Sequence, residues 1–114
     1  MTQFLTKRVY DSPSADDGVR ILADRLWPRG LAKNKAHFDL WLKDVTPSHD
    51  LRKWYHAHPE EFAEFAERYR TELEGQANAL EQLRAAGDVV TLLTARKEIK
   101  DSHLTVLLSV LKGA

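Results

Sequence analysis

The sequence predicts a small layered α/β domain, and three observations carry that reading. Val89-Val90-Thr91-Leu92-Leu93 is a nearly continuous apolar run bounded by turn residues, the pattern of a strand covered on both faces. Apolar residues at helical spacing stand on both sides of it, placing a strand between helices. A chain of 114 residues, 43% of them hydrophobic, suits one domain with a real core. The expected architecture is a single domain over residues 1–114, with a mixed or parallel sheet of about four strands flanked by helices in two or three layers.

The elements follow in order. Phe4 to Tyr10 reads as a strand, with Val9 and Tyr10 adding β-propensity. Residues 11–18 form a loop on composition, closed by the turn signal Asp17-Gly18. Val19 to Ala23 reads as a second strand running into Asp24. Pro28 and Gly30 interrupt regular structure, and a short basic turn or helix follows near Lys33–Ala36. Residues 38–45 fit two periods. Phe38, Leu40 and Leu42 alternate as in a strand, whereas Phe38, Trp41, Leu42 and Val45 match a helix. Asp44-Val45-Thr46-Pro47 halts the pattern quickly, which favours the strand. Ser48 is placed to cap a short helix through Leu51, Trp54 and Tyr55.

One long helix is expected from Pro59 to Ala85. Its apolar face runs through Phe62, Phe65, Ala66, Tyr69, Leu73, Ala77, Leu80 and Leu83. Gly75 weakens its middle and Gly87 ends it. Glu67, Glu72, Glu74 and Glu81 read as its solvated outer face. After the strand at 88–93, Asp101 or Ser102 caps a last helix that turns Leu104, Leu107, Leu108 and Leu111 inward.

Composition excludes several classes of function. There is no cysteine, which removes disulfides, thiolate zinc sites and cysteine nucleophiles and agrees with a reducing compartment. The start resembles no secretory signal, and no apolar run reaches the roughly 20 residues of a membrane span. A cytoplasmic location is therefore expected. Walker, Gly-x-Gly-x-x-Gly and Gly-x-Ser-x-Gly patterns are missing, and no cofactor is implied. His56 and His58 flank Ala57 but have no third ligand at a recognised spacing, so no metal site is expected.

Net charge is zero, yet residues 20–35 hold Arg20, Arg25, Arg29, Lys33 and Lys35 against Asp24 alone. A confined basic stretch in a neutral chain suits a local anion site better than a broad nucleic-acid surface. In open α/β sheets, ligands gather beyond the carboxyl ends of the strands. Two segments hold such positions: Asp24–Gly30 and Thr94–Lys97. If their strands are parallel neighbours, Arg25, Arg29 and Arg96, and with them Lys97, approach one volume beside Trp27. Guanidinium groups bind phosphate or carboxylate through paired hydrogen bonds. The candidate ligand-binding residues are thus Arg25, Trp27, Arg29, Lys33 and Arg96, and the candidate proton-transfer groups are Asp24 and His103.

A resemblance runs nearly end to end. Arg8-Val9-Tyr10-Asp11, Asp17-Gly18, Arg20-Ile21-Leu22 and Asp24-Arg25-Leu26-Trp27-Pro28-Arg29-Gly30 come first, followed by Trp41-Leu42-Lys43-Asp44, Pro47-Ser48, Leu51-Arg52-Lys53-Trp54, Arg68-Tyr69 and Glu72-Leu73. Together they resemble the bacterial YeaO-like family, classified as a domain of unknown function. The resemblance implies a compact cytoplasmic α/β domain and brings no established reaction. Matching positions are Asp24, Arg25, Trp27, Pro28, Arg29, Lys33, Lys43, Pro47, Ser48, Arg52, Trp54 and His103. Longer relatives carry a Cys-His-Arg segment near the late strand–helix turn. Here Ser102-His103-Leu104 keeps only the histidine, so thiol chemistry does not carry over.

Three functions are open on the sequence. The first is a pocket for a small anionic ligand, with or without catalysis. The second, disfavoured by neutral charge, is a nucleic-acid accessory protein using Trp27 and Trp54 as stacking platforms. The third is an interaction module or homodimer built on Trp54, Tyr55 and the aromatic helix start.

Overall fold

The computed structural model describes residues 2–113. Four strands, β1 (Gln3–Arg8), β2 (Val19–Leu22), β3 (Leu40–Trp41) and β4 (Val89–Thr94), form one sheet in the order β1-β4-β2-β3. Every pairing is parallel. The α/β class read from the sequence holds, and of the mixed and parallel alternatives the sheet is the parallel one. Parallel strands all end at the same edge, so the segments after β2 and β4, which are direct neighbours, emerge side by side.

Side-chain alternation divides the sheet into unlike faces. Phe4, Ile21, Val90 and Leu92 face the main core. Four helices supply the rest of that core: α1 (His49–Ala57), α2 (Phe62–Glu74), α3 (Ala77–Arg84) and α4 (His103–Leu111). Tyr69, Phe65, Leu73, Leu83, Leu104 and Leu107 are almost completely buried there. Burying a large apolar side chain contributes roughly 1.5–3 kcal/mol, so this layer carries most of the hydrophobic stabilisation.

The opposite face is covered by loop rather than helix. Val9, Leu22 and Leu93 form a small second cluster with Leu31, Phe38, Trp41 and Ala95. Beside it lies a buried polar group. The Arg20 guanidinium pairs with the Asp17 carboxylate, Lys7 reaches the same carboxylate at 2.8 Å, and the Thr91 hydroxyl donates to the Asp17 carbonyl at 2.7 Å. This arrangement holds the Asp17 pKa down to about 2, chiefly through the Lys7 hydrogen bond, with Ser14 and Arg20 adding to it against the opposing effect of burial. Asp17 sits in a one-turn 3₁₀ helix capped by Ser14, and Gly18 follows with φ +63°.

Several elements differ from the sequence reading. β1 stops at Arg8, because Asp11 turns the chain by accepting the Arg8 N–H at 3.0 Å. The strand read over 38–45 shrinks to Leu40–Trp41, followed by a 3₁₀ turn at Lys43–Val45. The single helix expected over 59–85 is two. Gly75 and Gln76 donate to the carbonyls of Glu72 and Leu73, which tightens the end of α2, and Gln76 leaves helical geometry with ψ +37°. The change of phase exposes Ala77 and buries Ala79 instead. Pro59 belongs to the turn between α1 and α2 rather than to a first helical turn.

Candidate functional site

The sheet edge where the strands end holds a cavity of about 360 Å³. Its walls include Asp24, Arg25, Trp27 and Arg29 from the segment after β2, and Ala95 and Arg96 from the segment after β4. His103, at the start of α4, and Arg52 and His56 of α1 complete the titratable part of the lining. The two segments singled out in the sequence therefore meet. Lys33 does not join them: it lies exposed in a separate 3₁₀ turn and does not line this cavity. Lys97 is exposed and outside the lining as well.

Each wall is fixed by identifiable bonds. Arg8 donates through Nε to the Arg96 carbonyl at 3.1 Å and through its guanidinium to the Ala95 carbonyl at 3.2 Å. The Tyr10 hydroxyl donates to the Arg29 carbonyl at 2.7 Å. Residues at and just beyond the end of β1 thus brace both arms. Among the described residues, Arg25 commits only Nε, donating to the Pro47 carbonyl at 2.9 Å, so its terminal nitrogens are not committed to that bond. Arg96 lies over the Tyr55 ring at 5.5 Å. Among the described residues, no carboxylate comes within ion-pair distance of Arg25, Arg29, Arg52 or Arg96.

Asp24, the one carboxylate of the lining, is engaged through both oxygens. One accepts the Thr94 hydroxyl at 2.8 Å, and the other accepts the Ala95 backbone N–H at 2.7 Å. It therefore ties the end of β2 to the end of β4. The His103 Nε2 donates to the Ala23 carbonyl and lies 3.5 Å from Asp24. A carbonyl only accepts, so the network assigns the proton to Nε2. Burial lowers the His103 pKa below its ordinary value; Asp24 and the Ala23 carbonyl oppose the shift, and Arg96 adds to it. Burial thus favours the neutral form of the ring.

Site reasoning from the sequence missed Thr46 and Pro47, and also Arg52 and His56 of α1. Their spacing of four along α1 puts both on one helix face, which is a legible signal, but only the packing of α1 shows where that face points. His58 goes elsewhere: Nδ1 bonds the Trp54 carbonyl at 2.8 Å and its ring stacks on Trp54 at 4.7 Å. Arg68 lies 4.2 Å from the same indole, so Trp54 is already partnered within the chain. Among the described residues, no group of three His, Cys, Asp or Glu side chains has metal-holding geometry, and no helix is long and apolar enough to cross a membrane.

A family model described as "Inactive DUF488-N3 subclade" matches residues 3–114. The uncharacterized protein Rv3073c of Mycobacterium tuberculosis is 44% identical over 113 residues, covering 98% of this chain and 96% of the relative. The uncharacterized protein YeaO of Escherichia coli is 41% identical over 110 residues, covering 94% and 95%. No solved structure matches the chain. At this coverage and identity, the chain belongs to the YeaO-like DUF488 family of unknown function, in the subclade described as inactive.

Proposed function

We propose that this protein binds a small phosphate- or carboxylate-bearing ligand at the sheet edge and does not transform it. One observation carries the reading: Arg25, Arg29, Arg52 and Arg96, from three separate parts of the chain, line one cavity without carboxylate partners among the described residues. Guanidinium groups without carboxylate partners remain available to pair with oxyanions. Asp24 and His103, the candidate proton-transfer groups, are each bonded to backbone atoms that fix neighbouring strands. Their commitments support a positioning role, and the description of the subclade as inactive accords with it.

Calorimetric titration at low ionic strength with inorganic phosphate and simple phosphate esters tests the proposal. Binding is expected to weaken about tenfold in Arg29→Ala, as for loss of one charge-assisted contact of about 1.4 kcal/mol. Arg29 is exposed, so its removal leaves the melting temperature of the unliganded protein unchanged. Absence of binding at millimolar phosphate, or an unaltered affinity in Arg29→Ala and Arg96→Ala alike, overturns the reading.

A further inference from the structure

We propose that the ligand is a nucleoside phosphate, with its phosphate among the arginines and its base against the Leu26–Trp27 rim. This inference rests on the anion-pocket reading and adds the chemistry of the rest of the ligand. Leu26 and Trp27 are 54% and 37% exposed, and together with Tyr10 they are the exposed large hydrophobic residues of the described chain. Both line the same cavity as the four guanidinium groups. An apolar rim directly beside a cationic pocket matches a ligand with a flat apolar part joined to an anion. An inorganic oxyanion or a small dicarboxylate leaves that rim in water and leaves most of the 360 Å³ unfilled.

The rim is also held in advance. The Trp27 Nε1–H donates to the Leu31 carbonyl at 2.7 Å. Its indole packs edge-on against Trp41 at 5.6 Å and tilted against Phe38 at 5.8 Å. Pro28, the next residue, is buried and fixes the backbone. An indole held this way loses little freedom when a planar ring settles on it, and stacking of a base on an aromatic side chain tolerates any base. Pro47 and Ala95 complete the apolar part of the lining.

The test compares three probes at fixed low ionic strength: inorganic phosphate, ribose 5-phosphate and adenosine 5′-monophosphate. The nucleotide is expected to bind about tenfold more tightly than ribose 5-phosphate, the gain from one stacked base, and to quench tryptophan fluorescence. Leu26→Ala and Trp27→Leu should each reduce that preference while leaving ribose 5-phosphate affinity within about twofold. Leu26 is exposed, so its variant keeps the test valid if Trp27→Leu disturbs the Trp41 and Phe38 packing. Equal affinity for ribose 5-phosphate and the nucleotide, or a preference that survives both substitutions, overturns the nucleotide assignment and leaves the anion pocket standing. Failure of all three probes to bind overturns both.

Discussion

Replacing Asp24 with alanine removes the carboxylate that joins the end of β2 to the end of β4. Two bonds are lost, from the Thr94 hydroxyl at 2.8 Å and from the Ala95 N–H at 2.7 Å. Hydrogen bonds to a charged group contribute about 1.5–3 kcal/mol each, which sets an upper range of roughly 3–6 kcal/mol. The side chain is 15% exposed on the cavity wall, so water entering from the mouth recovers part of that loss. The expected destabilisation is about 2–4 kcal/mol, or a fall in melting temperature near 10 °C for a domain of this size. Urea unfolding followed by tryptophan fluorescence measures it, with an unchanged m-value showing that the unfolded state is unaltered. A double-mutant cycle with Thr94→Val isolates one bond, with a coupling of about 1–2 kcal/mol. Asp24→Asn supplies a second readout. The Asp24 charge raises the His103 pKa, so its removal should move the His103 titration further down in an NMR pH series. A loss below about 1 kcal/mol, together with abolished ligand binding, would refute the positioning role and make Asp24 a ligand-contacting group.

Two further outcomes follow from the polar face of the sheet. Asp17 has a folded pKa of about 2, below its unfolded value near 3.9; its contribution is therefore complete above the unfolded value and lost as pH falls toward the folded one. Acid unfolding should steepen between about pH 4 and pH 2, and Asp17→Asn should flatten that limb; an unchanged limb would contradict the Lys7–Asp17–Arg20 cluster. Gly18→Ala should destabilise by at least about 2 kcal/mol, since φ is +63° and a Cβ there would lie 2.1 Å from the Val89 carbonyl oxygen; thermal unfolding checks it, and a variant as stable as the parent would contradict the turn.

Much of the candidate site is legible in the sequence because its signals are local. Asp24–Gly30 is unlike anything else in the chain, and the apolar run at 89–93 marks a central strand without reference to the fold. Convergence of the two segments needed only parallel neighbours, which β2 and β4 are. What stayed hidden depends on tertiary packing. Glu72 was read as outer-face charge, yet it accepts the Ser48 N–H at 2.8 Å and its hydroxyl at 2.5 Å, fixing the start of α1 against α2. That bond helps set the direction of α1, and with it the placement of Arg52 and His56. The helix break at Gly75 was visible as a weakness but not as an end, because a glycine mid-helix costs only about 1 kcal/mol and packing decides the rest. Lys33 failed to reach the cavity for the same reason: sequence proximity to Arg29 says nothing about the course of the intervening loop.

The bracing of the pocket by Arg8 and Tyr10 has a consequence for how the protein is made. β1 is the first strand of the chain, and the strand it pairs with is the last, with Gln3 opposite Val89 and Arg8 opposite Thr94. Contacts so distant in sequence form late, after the closure of a long loop. During synthesis the first strand waits, without its partner, until most of the polypeptide has emerged. The edge proposed to bind ligand therefore comes into being together with the complete fold, and on that proposal a fragment lacking either strand should show no partial affinity. Ligand affinity would then double as a readout of whole-chain folding, through the linkage between binding and the native state.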